Sequence, residues 1–255
     1  MTAHAIVLTL LLFAFFNYSP FIIHCSLIII HYSRLPYLPL KTYNFLYFMQ
    51  EILKYFGDFT EKQLAQFTAL KAIYEDWNIK INVISRKDID SLYLKHVLHS
   101  LSIAAMVNFR PGTEIIDIGT GGGFPGVPLA IFFPEVEFLL VDSIAKKLKV
   151  VEAVVAETGL TNITTKHSRT EEIKNRQFDF AVSRAVAPLK DLWFWSERLI
   201  KKTSKNEWLN GLICLKGGDL ANEISESGSR PRMVDIQGIF SEPYFQEKYL
   251  LHVAR

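Results

Sequence analysis

The pattern of apolar and polar residues changes character twice along this chain. Long apolar runs dominate before residue 49. From there to residue 106 the apolar residues recur at three- and four-residue intervals, which predicts amphipathic helices. Beyond Thr113, short apolar segments alternate with helical patterns to the end of the chain. The pattern therefore predicts three regions: 1–48, 49–110 and 111–255.

Two helices are predicted in region 49–110. The first has apolar residues at helical spacing from Leu64 to Trp77, and Thr60 with Gln63 has the form of a capping box at its start. The second helix is predicted over 88–106. We predict that this region is a small N-terminal helical cap.

Region 111–255 alternates strands with helices. Five strands are predicted at Thr113–Gly119, Glu137–Asp142, Asn162–His167, Phe178–Ala185 and Gly211–Lys216. The helices between them are predicted at Pro125–Phe133, Ala145–Thr158 and Pro188–Lys202. A polar loop over 219–232 precedes two closing strands, predicted as a hairpin at Met233–Phe240 and Tyr249–Ala254. This order predicts an α/β fold with a mostly parallel twisted sheet, helices on both faces and a ligand site at the carboxyl ends of the strands.

The first 48 residues differ in composition from the rest. They contain no Asp or Glu, and Arg34 and Lys41 are their only strong cations. The apolar runs Ala5–Phe16 and Phe21–Ile30 are each shorter than the roughly 20 residues that a membrane-spanning helix needs. We therefore predict that 1–48 is an extension from a mis-assigned start and that the protein begins at Met49. A membrane anchor is the alternative.

Composition restricts the function only weakly. The net charge of the whole chain is +2, so it indicates no class of partner. Cys25 and Cys214 form neither a disulfide framework nor a set of metal ligands, which favours a reducing compartment such as the cytoplasm. His96 and His99 lie three residues apart but have no further ligands at suitable spacing, so we expect ordinary core or surface histidines and no metal.

A glycine cluster follows the first predicted strand, in the run Asp117-Ile-Gly-Thr-Gly-Gly-Gly-Phe-Pro-Gly126. Glycines there permit a tight turn close to a ligand. The segment also matches the dinucleotide fingerprint, but Asp117 would place negative charge near a pyrophosphate, and Pro125 lacks a backbone donor. A cationic ligand, S-adenosylmethionine, suits Asp117 better. Its methionine part would lie over Gly119, Gly121 and Gly123. A dinucleotide or a ligand-free turn remains the alternative.

Other candidate residues follow the later strands. Asp142 ends the second strand, where a carboxylate can accept from ribose hydroxyls. Thr170 and Glu171 follow the third strand, either as a helix start or against an adenine. Arg184 closes the fourth strand at the ligand edge. Basic residues in loops permit contacts with RNA phosphates: Arg86, Lys87, Arg169, Lys216, Arg230 and Arg232.

Several of these segments also carry a family resemblance. They occur in order as Asn82–Ser85, His96–Ser100, Asp117–Gly126, Leu140–Ser143, Ser168-Arg169, Ser183–Ala185 and Leu215–Gly217. From about Met49 onward the chain resembles the glucose-inhibited division protein B family, the bacterial 16S ribosomal RNA guanine-N7 methyltransferases. The resemblance implies a Rossmann-like class I methyltransferase fold. One departure is His99, where the family often has an acid.

The same resemblance implies the site and the reaction. It implies that S-adenosylmethionine contacts Gly119, Phe124, Thr170, Glu171 and Arg184, with Asp142 at the ribose. The expected partner is 16S ribosomal RNA or the small ribosomal subunit, and the expected protein is a cytoplasmic monomer. Guanine N7 carries no proton, so we expect no general base, and Arg184 is the candidate for positioning. The alternatives are an NAD-dependent oxidoreductase and a non-enzymatic RNA-binding protein on the same fold.

Overall fold

The computed structural model describes residues 49–255. The two alternatives for region 1–48, a mis-assigned extension and a membrane anchor, lie outside these residues. Met49–Arg255 form one compact unit. Within this unit, no helix combines the length and the apolar character of a membrane span. The division of the unit at residue 110 stays a prediction.

A seven-stranded sheet forms the centre of the fold. Its strands are β1 (Glu114–Ile118), β2 (Glu137–Asp142), β3 (Ile163–His167), β4 (Phe180–Arg184), β5 (Gly211–Gly217), β6 (Arg232–Asp235) and β7 (Lys248–Ala254). The order across the sheet is β3-β2-β1-β4-β5-β7-β6. The first five strands are parallel, whereas β7 runs antiparallel to β5 and β6 runs antiparallel to β7. This is the doubly wound Rossmann order with β7 inserted before β6, so the predicted mostly parallel sheet and closing hairpin are confirmed.

The helices are α1 (Glu61–Lys80), α2 (His99–Met106), α3 (Gly126–Phe132), α4 (Ala145–Thr158), α5 (Leu189–Ser196) and α6 (Ala221–Ser227). Two predicted helix boundaries are confirmed. Thr60 and Gln63 form the capping box of α1, each side chain bonding the other residue's backbone N–H. Gly159 ends α4 in the left-handed conformation, with φ of 63°.

Helices cover both faces of the sheet. Successive strand residues point to opposite faces, so each strand contributes to both packed layers. Ile115, Phe138 and Phe180 belong to a buried cluster that includes residues of α1, α2, α3 and α4. The neighbouring Ile116, Leu139 and Ala181 belong to a second cluster with residues of α5. The helices of 49–110 therefore share one core with one face of the sheet.

Four of the predicted elements differ in the structure. The strand predicted at Met233–Phe240 is Arg232–Asp235, and a 3-10 turn follows it at Ile236–Gly238. Region 88–106 is a 3-10 turn, a π-helix at Tyr93–Leu98 and α2, in place of one regular helix. The predicted loop 219–232 contains α6, a short helix with no buried residue and hence no apolar pattern in the sequence. The helix predicted to Lys202 ends at Ser196, after which Ile200 pairs with Phe178 as an isolated bridge.

Candidate active site

A cavity of about 250 Å³ lies at the carboxyl ends of β1, β2 and β3. Parallel strands end at one edge of the sheet, so the residues that follow each strand meet there. The lining comprises Ile118, Gly119, Val141, Asp142, Ser143, Ser168, Arg169, Thr170, Glu171, Val186 and Trp195. Four residues predicted from the sequence therefore line one cavity: Gly119, Asp142, Thr170 and Glu171.

The carboxylate of Asp142 is fixed by the backbone. One oxygen accepts from the N–H of Gly121 at 2.9 Å, and the other accepts from the N–H of Ile144 at 2.8 Å. Each carboxylate oxygen has a further lone pair. Asp142 therefore presents oriented acceptors to the cavity and at the same time holds the glycine loop beside it.

Two glycines of the loop leave no room for a side chain. Gly119 has φ of 65°, and a Cβ there would lie 2.7 Å from both methyl carbons of Val186. Gly123 has φ of 101°, and a Cβ there would lie 2.6 Å from a methyl carbon of Val127. Gly119 keeps the backbone open at the cavity wall, and Gly123 lets the loop turn back onto α3.

Asp117 lies beneath this loop and does not line the cavity. Its Oδ2 accepts from the hydroxyl of Thr120 at 2.6 Å and from the N–H of Gly126 at 2.9 Å. Its Oδ1 is buried and has no partner among residues 49–255. Burial raises the pKa of Asp117 to about 7. This carboxyl group therefore ties the two ends of the loop together and keeps one acceptor unpaired.

Phe124 and Arg184, also predicted from the sequence, do not line the cavity and instead pack against each other. The guanidinium of Arg184 lies over the ring of Phe124, 5.0 Å from its centroid. Its Nη1 donates to the carbonyl of Lys95 at 3.2 Å, and its Nη2 donates to Nδ1 of His96 at 2.8 Å. Burial lowers the pKa of Arg184 from its ordinary value. Arg184 thus joins the end of β4 to the π-helix of the N-terminal region.

The two histidines have different environments. His96 is half-buried, and its ring centroid lies 5.1 Å from that of Phe124. His99 is buried, its Nδ1 lies 3.4 Å from the hydroxyl of Tyr244, and burial holds its pKa well below the ordinary value. Residues 49–255 contain no group of three or more side chains arranged to hold a metal ion.

Sequence reasoning missed two residues of the cavity wall, Val186 and Trp195. Val186 lies two residues after Arg184, beyond Ala185 with its positive φ of 53°. The motif Ser183–Ala185 ends one residue before Val186, and nothing in the sequence indicated that Val186 lies against Gly119. Trp195 reaches the cavity from α5, and its position on a helix carries no signal in the sequence.

The residues present fit a nucleoside with a cationic tail. The oriented carboxylate of Asp142 suits ribose hydroxyls, and the glycine loop permits close approach of a chain. Asp117 lies buried beneath this loop without contacting the cavity, and its negative charge suits a cation above the loop more than a pyrophosphate. S-Adenosylmethionine has these chemical groups.

Comparisons with known proteins give a consistent result. The GidB family model, described as rRNA small subunit methyltransferase G, matches residues 63–241. The ribosomal RNA small subunit methyltransferase G of Phocaeicola vulgatus is 53% identical over 206 residues, covering 81% of this chain and 98% of the relative. The protein of the same name from Flavobacterium psychrophilum is 51% identical over 205 residues, covering 80% and 97%. That from Bacteroides fragilis is 52% identical over 206 residues, covering 81% and 100%.

These matches favour neither of the two alternatives, an NAD-dependent oxidoreductase or a non-enzymatic RNA-binding protein. The resemblance inferred from the glycine motif and its companions is confirmed, and so is the methyltransferase class of the fold. The family model spans most of residues 49–255, and the relatives are about half identical to this chain. The chain therefore belongs to the rRNA small subunit methyltransferase G family.

Proposed function

We propose that this protein transfers a methyl group from S-adenosylmethionine to N7 of a guanine in 16S ribosomal RNA. The observation that carries the proposal is the cavity at the ends of β1, β2 and β3, lined by Gly119, Asp142, Thr170 and Glu171. Membership of a small-subunit rRNA methyltransferase family supports the RNA substrate. The base and the atom follow from the family resemblance of the sequence motifs.

The cofactor would be held by residues from three strand ends. Asp142 would accept from the ribose hydroxyls, and Thr170 with Glu171 would face the adenine. Arg198 donates to the carbonyls of both residues, which fixes their short 3-10 turn. Gly119, Gly121 and Gly123 would lie along the methionine part, with the charge of Asp117 buried beneath the loop on the side of its amine.

The reaction requires positioning more than acid–base chemistry. Bound S-adenosylmethionine supplies an electrophilic methyl group on a positively charged sulfur. Guanine N7 has an exposed lone pair and no proton, so no side chain needs to remove one. Alignment of the reactants alone is worth about 7–11 kcal/mol in favourable cases. Positive charge develops on the base, so a cation does not stabilise the transition state there, and Arg184 is suited to positioning instead.

The RNA contacts would come from exposed cations near the cavity. Arg169 lines the cavity and is exposed, and Arg86 and Lys87 are exposed in the loop before the π-helix. The side chain of Lys216, in contrast, is only 8% exposed and pairs with Glu223 at 2.7 Å, so we leave it out of the proposed phosphate contacts. We propose a cytoplasmic monomer whose substrate is 16S RNA or the small subunit that contains it.

A methyl-transfer assay tests this function directly. The protein is incubated with radiolabelled S-adenosylmethionine and with small subunits, naked 16S RNA or, as a control, large-subunit RNA. We expect label in 16S RNA, recovered after digestion as N7-methylguanine. Label in another base or another atom of guanine would contradict the proposal, as would transfer to the large-subunit RNA alone.

A further inference from the structure

The hydrogen bond between Arg184 and His96 fixes the tautomer of the histidine. Arginine has donors only, so the Nδ1 of His96 accepts from Nη2 of Arg184 at 2.8 Å. An imidazolium has no acceptor, so His96 is neutral in this arrangement. The one proton of a neutral imidazole then lies on the other nitrogen, Nε2. His96 therefore has a defined donor on the side that faces away from Arg184.

This donor makes no hydrogen bond to any of residues 49–255 and is not one of the buried unpaired atoms, which include Nε2 of His99. A ligand that reached this donor would therefore displace no protein partner from it. Burial and the neighbouring Arg184 lower the pKa of His96 to about 3, so the neutral form persists across the physiological range. The opposing influence of Asp88 is smaller than either of these.

His96 also lies on the side of the site where a substrate base belongs. From β1 the chain adds β2 and β3 on one side of the sheet, and from β4 it adds β5 on the other side. Ligands of such sheets bind in the crevice between β1 and β4, where the strand order changes direction. The cavity occupies the β1, β2 and β3 side. Arg184 ends β4 on the other side, where it contacts both His96 and Phe124. A base between the two sides would lie next to Arg184 and within reach of the donor of His96.

Guanine and adenine differ in the group beside N7. Guanine has the O6 acceptor there, and adenine has the N6 amine donor. A neutral donor distinguishes the two bases without adding positive charge where methylation creates it. An imidazolium in this position would oppose the reaction, since like charges repel.

We propose that the Nε2–H of His96 donates to O6 of the target guanine and thereby selects guanine over adenine. The inference rests on the proposed function, because it assumes methylation at guanine N7. His96 would contact the substrate directly, and Arg184 would fix its tautomer and orientation.

Base analogues combined with His96 variants test the inference. Small-subunit RNA is prepared with guanine, inosine or 2-aminopurine at the methylated position; inosine keeps O6, and 2-aminopurine lacks it. For the unaltered protein we expect 2-aminopurine to lower kcat/KM about tenfold or more relative to guanine, as for loss of one base contact. Inosine should stay within threefold of guanine.

Two conservative variants separate the base contact from a merely structural role. In His96→Asn the side-chain oxygen can still accept from Arg184, but no donor reaches the Nε2 position. We expect low activity on guanine and no further loss with 2-aminopurine. His96→Gln places an amide donor near the Nε2 position, so part of the preference for guanine should return. In calorimetry, the dissociation constants for S-adenosylmethionine of the unaltered protein, His96→Asn and His96→Gln should lie within threefold of each other.

The outcomes distinguish the inference from the function beneath it. An equal loss with 2-aminopurine in the unaltered protein and in His96→Asn would show that His96 does not contact O6. Full activity of the unaltered protein on 2-aminopurine would overturn the inference in the same way. No methylation of the guanine substrate by the unaltered protein would instead refute the proposed function, and the inference with it.

Discussion

At the residue scale, the two acids of the site have different environments. Asp142 is held by two backbone donors at the cavity wall. Asp117 is fully buried beneath the glycine loop, where it bonds Thr120 and Gly126. The sequence indicated a ligand role for both. The structure adds that Asp117 also holds the loop in shape and lies buried below it, so its expected effect on a ligand is that of a nearby charge without direct contact.

Asp142→Ala should weaken binding of S-adenosylmethionine. The variant loses the acceptor proposed for the ribose and frees the N–H groups of Gly121 and Ile144. Hydrogen bonds to a charged group contribute about 1.5–3 kcal/mol, so we expect a dissociation constant at least about tenfold higher in calorimetry. Asp76→Ala, which removes an exposed acid of α1, serves as the control. An unchanged dissociation constant for Asp142→Ala would refute the ribose assignment.

The buried carboxyl of Asp117 should make cofactor binding depend on pH. Its pKa is raised to about 7, so it is mostly protonated at pH 6 in the free protein. A cationic ligand favours the ionised form, so binding releases a proton and strengthens as the pH rises to 7. The α-amine of the ligand, with a pKa near 8, keeps most of its proton in this range.

We expect affinity to increase about fivefold between pH 6 and pH 7. Asp117→Asn, which cannot ionise, should bind with the same affinity at both values. Isothermal titration in buffers of different ionisation enthalpy measures the proton release. Binding by the unaltered protein that does not change with pH would contradict a link between Asp117 and the cation.

Replacing Arg184 should reduce methyl transfer while the fold persists. Lysine cannot bond Lys95 and His96 with one planar group, so both Arg184→Lys and Arg184→Ala should lower kcat/KM at least about tenfold. Arg176→Ala is a matched control, because Arg176 also lies over a phenylalanine ring but pairs with Glu114 at the start of β1. Unchanged activity of the Arg184 variants would remove this residue from the site.

The residues of the cavity are partly predictable from the sequence, for a physical reason. Gly119 and Thr170 each follow a readable strand and Asp142 ends one, and parallel strands bring their ends together. The contact of Arg184 with His96 joins positions 88 residues apart and depends on how the π-helix packs on β4. No periodicity in the sequence encodes that contact, so His96 was expected to be an ordinary histidine.

At the element scale, α1 supports the glycine loop from outside the sheet. The buried hydroxyl of Tyr74 donates to the carbonyl of Gly122 at 2.6 Å. A Cβ on Gly122 would lie 2.9 Å from Val83, in the segment that follows α1. The N-terminal region therefore fixes the shape of a loop that belongs to the strand–helix unit of β1 and α3.

Tyr74→Phe should destabilise the protein and loosen the site. The change leaves a buried carbonyl without its donor, which costs about 1–3 kcal/mol of unfolding free energy. Chemical denaturation measures this loss, and calorimetry should show weaker binding of S-adenosylmethionine. Tyr55→Phe removes a hydroxyl that bonds Glu242 instead, so it should leave binding unchanged. Equal effects of both variants on binding would contradict a specific role for Tyr74.

Elements were predictable where burial imposes a period. The central strands, such as β2, and the helix α4 have continuous apolar patterns and clear boundaries, and their predictions agree closely with the structure. The exposed helix α6 buries no residue, so its polar sequence resembled a loop. The π-helix at Tyr93–Leu98 has an apolar pattern like that of an α-helix, and the pattern alone does not indicate its wider turn.

At the scale of the whole molecule, the sheet separates two tasks. The ends of β1, β2 and β3 form the cavity proposed for the cofactor, and the end of β4 carries the Arg184 group proposed for the base. The helices of 49–110 complete the second part by supplying His96. In this proposal the N-terminal region takes part in the site together with the strand ends of the sheet.

The most direct test maps N7-methylguanine in small-subunit RNA from cells that lack this protein. We predict that one guanine of 16S RNA loses its N7 methyl group. The unaltered gene should restore the methyl group, and the Asp142→Ala gene should not. Persistence of every N7-methylguanine in the small-subunit RNA of the deletion strain would contradict the account.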